Sequence, residues 1–251
     1  MRTQAEEKFS DYFEKWVCRL EEYSHQLHSA SREASATEQE LRALVSKLTA
    51  HHKEYYTVKW AAAGGAGGGG NVFAFFSPPW SSPLENAYSW LTGWKPSTAF
   101  RVIEALRARG AVMAEGQLKR IEQLRAKIRL EEERVEREME RQQVGLADRR
   151  MVELGRLEGR RGEAEAAAAA AAGGQVDVLV DAALKGLASG LERIMKAADC
   201  VRLKTLKGVL DELSPSQCVE FLAAITGLQV QLRRWGRKRQ AQVEHRPRGT
   251  C

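Results

Sequence analysis

Residues 203–236 have the sequence LKTLKGVLDELSPSQCVEFLAAITGLQVQLRRWG, in which apolar side chains recur at every third or fourth position. That spacing places them along one face of an α-helix. Ser214-Pro215-Ser216-Gln217 interrupts the pattern with a capping serine, a proline suited to a first helical turn and a glutamine that can close a capping box. The stretch therefore predicts two successive helices, the second of which ends at Gly236.

The N-terminal third of the chain repeats these signals. Residues 5–30 carry an apolar stripe with helical spacing, and Thr37 with Glu40 forms another capping-box pattern before a second amphipathic segment. We therefore expect a pair of long helices before the first glycine-rich stretch.

A further helix start lies at Ser82-Pro83, where Ser82 can cap and Glu85 favours the positive end of the helix dipole. The pattern predicts that this helix ends at Gly93. Another amphipathic helix follows and ends near Gly110.

Residues 115–150 differ from the other helical segments because charges of alternating sign surround a thin apolar line. This pattern is typical of a long, solvent-exposed helix that packs on a bundle or on a second chain. Glu131, Glu132 and Gln142 interrupt its heptads, so a homo-oligomeric coiled coil is the less favoured alternative. The acidic part, 131–140, is interleaved with arginines and is expected to be a solvated helix face.

Three segments contain little that a core could bury. AAAGGAGGGG at 61–70 predicts a flexible glycine-rich loop, 155–175 predicts a low-complexity linker or frayed helix, and 241–251 predicts a disordered basic tail. No strand pattern of period two is present in the sequence. The prediction is an all-α fold, a single multi-helix bundle over 5–240 with one long charged helix and Gly/Ala-rich linkers.

Composition excludes several classes of protein. A chain of 251 residues can bury one sizeable core, and its net charge of +6 is small for a protein that coats DNA. No run approaches the roughly 18 apolar residues that a membrane span needs, and the N-terminus lacks the apolar core of a signal peptide. We expect no membrane association and a location in the nucleus, the cytoplasm or both.

The sequence contains no arrangement typical of an enzyme. His51-His52 is followed by Lys53-Glu54 instead of completing the HExxH zinc motif, and none of the four cysteines belongs to a CxxC pair. No GxSxG motif is present, and no GxGxxG motif follows a strand. The prediction is a non-enzymatic protein with no catalytic residue, no metal and no cofactor.

Three blocks together resemble a known plant family. They are FSDYFEKW at 9–16, SPPWSSPLENAYSWLTGWKPSTAF at 77–100, and residues 203–236. Over about 9–110 and 177–240 the chain is similar to the delay-of-germination domain, also called the seed dormancy control domain. The same domain forms the C-terminal half of TGA-type bZIP transcription factors. Two patterns of the resemblance are fairly specific: the run WxxPxExxxxWxxG, from Trp80 to Gly93, and the closing LxxxxxxW of the third block.

The resemblance implies an all-α regulatory protein that acts through protein partners in abscisic-acid, dormancy or stress-linked signalling and in the regulation of transcription. Only eight residues precede Phe9, so we expect a stand-alone delay-of-germination-like protein without the basic region and zipper of a TGA factor. A sequence-specific DNA-binding regulator like the TGA factors is an alternative, as is a pollen-development member of the family. Direct DNA binding stays open, and bZIP factors are among the implied partners.

The resemblance also implies a partner-binding block near the N-terminus. In delay-of-germination proteins a similar Asp-Tyr…Glu-Trp stretch is implicated in binding phosphatases of the abscisic-acid pathway. Asp11, Tyr12, Glu14 and Trp16 match it, with one extra residue between Glu14 and Trp16. An aromatic and acidic helix face is typical of an interface hot spot. The competing interpretation is that the aromatic residues of this block belong to the core, since their spacing is that of a buried stripe.

A basic segment near the end of the last predicted helix is a second candidate. It comprises Leu228, Gln229, Arg233, Arg234, Trp235, Arg237, Lys238 and Arg239. The spacing of Leu228-Gln229, Arg233 and Lys238 approximates an IQ-type calmodulin site, with Arg234 where glycine is usual. RRWGRKR also suits nuclear import or a solvated helix end. The family's last helix can carry histidines suited to haem, but Gln229 and Arg233 occupy that face here, so no haem site is predicted.

Overall fold

The computed structural model describes residues 4–32, 36–64, 71–148, 151–156 and 166–244, and these fold almost entirely as helices. In chain order they are α1 (Gln4–Ala30), α2 (Glu38–Gly64), α3 (Phe73–Phe76), α4 (Pro83–Ala87), α5 (Thr98–Ala108), α6 (Glu115–Val144), a 3₁₀ turn (Gly145–Ala147), α7 (151–156), α8 (Ala166–Glu212) and α9 (Pro215–Glu244). Within these ranges the only β-type pairing is an isolated bridge between Trp90 and Gly93. The all-α prediction is confirmed.

Helix α9 is the centre of the bundle, because it contacts α1, α2, α4 and α5. Helix α8 joins this group to α6, since it packs on α2, α5 and α6. The buried apolar side chains form one continuous cluster that extends from Phe9 on α1 to Val230 on α9. Among the described helices, none is long and apolar enough to cross a membrane.

Three capping boxes are present: two were predicted as boxes, and at Ser82 only the cap was predicted. The reciprocal pairs are Thr37 with Glu40, Ser82 with Glu85, and Ser214 with Gln217. In each pair the hydroxyl oxygen accepts from the backbone N–H three positions later, and the later side chain accepts from the N–H of the first residue. These bonds satisfy amides that a helix start leaves without a partner, so local sequence located the starts of α2, α4 and α9.

Helix α9 was predicted to end at Gly236, but it continues to Glu244. A Cβ atom at Gly236 would lie only 2.0 Å from the Ser82 hydroxyl oxygen at the start of α4. The glycine therefore permits a close approach between two elements instead of ending a helix. Residues 241–244 of the predicted tail are helical, and 245–251 lie outside the described residues.

The predicted glycine-rich loop and linker are partly helical. Helix α2 continues to Gly64, so 61–64 are helical, and Ala63 is buried. Residues 65–70 lie outside the described part of the chain.

Helix α8 begins at Ala166, so 166–175 of the predicted linker belong to it, in keeping with the high helix propensity of alanine. Residues 155–156 are the last two of α7, and 157–165 lie outside the described residues.

The predicted charged helix is observed as α6, with residues 145–147 in the 3₁₀ turn and 149–150 outside the described ranges. Its buried apolar residues include Ile121, Ile128 and Val135, and the helix packs on α8 of the same chain.

The acidic part of α6 was expected to be a solvated helix face, but some of its carboxylates are buried or half-buried. Glu132 is buried and accepts a hydrogen bond from the Ser97 backbone N–H at 2.7 Å. Glu136 accepts from Trp90 Nε1 at 2.7 Å and from Lys95 Nζ at 2.9 Å. Glu132, which interrupts the heptads, and Glu136 therefore hold the segment that leads into α5.

Helix α4 ends at Ala87 rather than at Gly93, because the chain turns sharply after it. Leu91 and Thr92 adopt left-handed conformations, with φ of 43° and 68°. Such a conformation is costly for residues other than glycine and persists only where the surroundings enforce it.

A buried ionic cluster enforces this turn. Arg202 of α8 donates to the carbonyl oxygens of Trp90, of Leu91 at 2.9 Å and of Trp94 at 2.7 Å. Lys59 of α2 donates to the Thr92 carbonyl at 3.2 Å and to its hydroxyl at 2.9 Å. Two cations from separate helices thus hold the turn from inside the core.

Asp199 of α8 is the counter-ion of both cations. Its Oδ1 accepts from Lys59 Nζ at 2.9 Å and from Arg202 Nη1 at 2.5 Å, and its Oδ2 accepts from Trp60 Nε1 at 2.9 Å. The three charged side chains are at most 1% exposed. Burial lowers the pKa of Lys59 to about 8, against the opposing effect of Asp199.

We predict that Asp199→Ala strongly destabilises the fold, because it leaves Lys59 and Arg202 buried without their anion. Removing one partner of a buried ion pair costs about 3–5 kcal/mol of unfolding free energy. Urea denaturation of the purified protein measures this loss. Asp181→Ala, at an exposed position of the same helix, is the matched control and should change stability by less than about 0.5 kcal/mol. Equal effects of the two substitutions would contradict the prediction.

Candidate partner-binding surface

The two predicted binding segments lie side by side, because α1 packs on α9. Glu14 of α1 forms ion pairs with Arg233 and Arg237 of α9, and Glu21 pairs with Arg234 at 3.3 Å. The fold thus brings together acidic and basic residues that are more than 200 positions apart in the sequence.

Arg233 lies inside this contact and is not an exposed basic residue. It is 4% exposed and donates to Glu14 at 2.5 Å, to Glu85 at 3.1 Å and to the Trp80 carbonyl at 3.3 Å. Its guanidinium also lies 4.9 Å from the centre of the Phe13 ring. The side chain of Arg233 therefore joins α1, α4 and α9 in the core, so this member of the predicted basic segment is not accessible at the surface.

Gln229 is directed inward as well, one helical turn before Arg233. Its side-chain oxygen, Oε1, is buried and has no hydrogen-bond partner among the described residues. Residues four positions apart share one face of a helix, and this face of α9 packs on the bundle. The folded chain therefore does not present the glutamine and arginine of an IQ-type site.

The opposite side of α9 remains open. We call the exposed residues Leu228, Gln231, Trp235, Lys238 and Arg239 the outward α9 face. Leu228 is 52% exposed and Trp235, two helical turns later, is 58% exposed. Large apolar side chains beside two cations are typical of a surface that binds another macromolecule.

The N-terminal block divides between core and surface. Asp11 is exposed, whereas Trp16 is buried, donates to the His51 carbonyl at 3.2 Å and stacks on its ring. Tyr12 is half-buried, and burial together with Glu54 raises its pKa to about 12. The core interpretation thus describes Trp16, while Asp11 is the member of the block that is most accessible.

The hydrogen bonds of Glu14 determine its ionisation. Partial burial favours the neutral acid, but hydrogen bonds and charge from Arg237 and Arg233 outweigh it and lower the pKa of Glu14. The carboxylate is therefore the stable form in the fold, and it is already occupied by two guanidinium groups.

Sequence reasoning missed Lys59, Asp199 and Arg202. Lys59 and Asp199 are 140 positions apart, so no local motif joins them. The available signal is that each charge interrupts a run of apolar residues in its helix. A charged residue at a buried helical position needs a partner of opposite charge. A charged residue within an apolar run is therefore a signal for a buried ion pair.

The described residues contain no cluster of three or more His, Cys, Asp or Glu side chains that could hold a metal ion. The polar contacts of this surface are instead ion pairs and carbonyl hydrogen bonds between helices.

We predict that the stabilising effect of the Glu14 carboxylate is lost in acid. Its pKa is lower in the folded than in the unfolded chain, so the unfolded chain takes up a proton first as the pH falls. The difference in unfolding free energy between the wild type and Glu14→Gln should be constant above about pH 6 and shrink below about pH 4.5.

Urea denaturation across this pH range measures the difference. Glu7→Gln on the exposed side of α1 is the control and should show no comparable trend. A difference for Glu14→Gln that is as large at about pH 3.5 as at neutral pH would refute the assignment.

Comparison with known proteins agrees with the resemblance seen in the sequence. A family model described as seed dormancy control matches residues 20–105. The chain is 54% identical over 239 residues to Protein DOG1-like 4 of Arabidopsis thaliana, which covers 95% of this chain and 96% of that protein.

Two further relatives from Arabidopsis thaliana are more distant. Protein RESPONSE TO ABA AND SALT 1 is 28% identical over 92% of this chain and 96% of its own length. Transcription factor TGA2 is 28% identical over 84% of this chain and 58% of its own length. The chain therefore belongs to the DOG1-like family of seed dormancy control proteins, to which the TGA factors are more distantly related.

Proposed function

We propose that this chain is a non-enzymatic regulatory protein that acts through protein partners in abscisic-acid, dormancy or stress-linked signalling and in the regulation of transcription. The names of its relatives support the setting, since one denotes a response to abscisic acid and salt and another a transcription factor. The observation that carries the proposal is the outward α9 face, where two large apolar side chains stand exposed beside two cations.

The chemistry of this face favours an acidic partner with an apolar groove. Leu228 and Trp235 are spaced to enter such a groove as anchors, and Lys238 and Arg239 add positive charge one turn later. Calmodulin has this kind of groove and is the partner that we propose for the face. Arg233 takes no part, because it is occupied in the core.

A second proposed contact lies on α1. Asp11 is exposed, whereas Glu14 is paired with Arg233 and Arg237. We therefore place the contact with phosphatases of the abscisic-acid pathway at Asp11 and its exposed neighbours, such as Lys15. Trp16 supports this surface from the core without touching the partner.

The proposed effect on transcription operates through proteins, bZIP factors among them, and not through direct reading of DNA. Arg234 and Arg237 are exposed but pair with Glu21 and Glu14, so Lys238 and Arg239 are the cations of the basic segment for which the described residues show no ion pair. Two cations form a small footprint for a DNA phosphate backbone. The same exposed pair is available for nuclear import, and we propose that the protein resides in the nucleus and cytoplasm.

We predict that calmodulin binds the outward α9 face of the full chain. Isothermal calorimetry with calcium-loaded and calcium-free calmodulin should show saturable heat, and Trp235→Ala should weaken the affinity by at least roughly thirtyfold, as expected for a buried tryptophan anchor. Lys238→Glu with Arg239→Glu should weaken it as well.

The matched control for charge is Arg107→Glu with Arg109→Glu, an exposed basic pair elsewhere that should leave the affinity unchanged. This partner would be refuted if neither the calcium-loaded nor the calcium-free form of calmodulin gave heat. It would also be refuted if the two pairs of charge reversals weakened the affinity equally.

We predict that Asp11→Ala weakens binding of an abscisic-acid pathway phosphatase without changing the stability of the fold, because Asp11 is exposed. Surface plasmon resonance with the purified phosphatase measures the affinity, and thermal denaturation checks the fold. Glu7→Ala, at another exposed acidic position of α1, is the control. Unchanged binding by Asp11→Ala would exclude Asp11 from the contact.

A further inference from the structure

A cavity of about 190 Å³ lies inside the bundle, between α1, α2, α9 and the segment that contains α3 and α4. Its walls are largely aromatic and aliphatic, with rings contributed by Trp16, Tyr55, Trp80 and Trp94. An engineered apolar cavity of about 150 Å³ binds benzene, so this volume accommodates a molecule of one or two fused rings.

The cavity has a route to solvent. Most lining residues are buried or half-buried, but Tyr88 is 73% exposed and its neighbour Ser89 is also exposed. Leu232 of α9, which is half-buried, completes the same wall. A ligand can therefore enter between α9 and the turn that follows α4 without unfolding the core.

One polar group on the wall lacks a partner. Gln229 lines the cavity, and its Oε1 atom is buried without a hydrogen bond within the described part of the chain. A buried acceptor that is left unpaired is costly, so nearly all such groups in folded proteins find a donor. Because Gln229 is part of the cavity wall, a ligand N–H or O–H group in the cavity is the donor that can satisfy this oxygen.

The remaining wall is electrically neutral or balanced. Burial, with a smaller effect of His51, lowers the pKa of His52 to about 4, so its ring is neutral at physiological pH. Burial also raises the pKa of Tyr56 far above its usual value. Arg233 already binds two carboxylates, those of Glu14 and Glu85. A charged ligand would therefore lose its hydration without gaining an unpaired counter-charge.

We propose that this cavity is a binding site for a small, neutral aromatic molecule that donates one hydrogen bond to Gln229 Oε1. The aromatic walls supply the affinity through burial and ring contacts, and the glutamine supplies the selectivity. The site is separate from the outward α9 face, so its occupancy does not depend on the proposed protein partners.

Indole and indene test the proposal, because they have nearly the same size and only indole carries an N–H donor. Calorimetry on the full chain should show saturable one-to-one binding of indole, with indole preferred over indene by roughly threefold to tenfold, the usual contribution of one hydrogen bond. Gln229→Leu keeps the side-chain volume and should reduce this preference to about one. Gln231→Leu, exposed on the same helix, should retain it.

Cavity-filling variants test the location. Leu232→Trp and Val230→Phe each place a larger side chain on the wall and should abolish indole binding while circular dichroism shows an unchanged helical fold. Two positions are used so that at least one variant folds.

Four results would overturn the proposal. They are no saturable binding of indole by the wild type, equal affinities for indole and indene, indole binding that persists in a folded cavity-filling variant, and tighter binding of octanoate than of indole. The last result would assign the cavity to anionic chain-like ligands instead.

Discussion

The rest of the structure depends on the buried ion pairs that the carboxylate of Asp199 forms with Lys59 and Arg202. Two cations share this one buried anion, so the cluster retains an excess of positive charge in the core. Carbonyl oxygens of the 90–94 turn solvate these cations, and the left-handed residues Leu91 and Thr92 each contribute one of them. This turn places Trp90 against α6 and Trp94 against the cavity. Hydrogen bonds from two buried cations therefore hold this loop in place.

The two faces of helix α9 have different roles. Its inward side contributes Arg233 to a junction of three helices and Gln229 to the cavity wall. Its outward side leaves Leu228 and Trp235 in solvent. Because the inward side is anchored by charge-assisted hydrogen bonds, the helix that carries Leu228 and Trp235 is held in place before any partner arrives, which reduces the entropy lost on binding.

Local sequence predicted what local physics controls. Thr37, Ser82 and Ser214 reveal helix starts because each bonds to an amide three residues away. The same reasoning failed at Gly236, which resembles a helix stop but faces Ser82 across a tight contact. It also failed for Arg233, whose basic neighbours suggested a surface, because its partners Glu14 and Glu85 lie about 150 or more positions away. Contacts between distant parts of the chain decide such residues, and a single sequence does not display them.

Helix α8 contains 47 residues and so extends for about 70 Å, well beyond the reach of the other helices of the bundle. Only its C-terminal part carries Asp199 and Arg202, whereas its N-terminal end consists of alanine and glycine. Turns can therefore be added to or deleted from that end in evolution without disturbing the charges that organise the core. The N-terminal end of α8, which precedes the part of the helix that packs on α6 from Leu187 to Glu212, is thus the part of the molecule best suited to vary in length between paralogues.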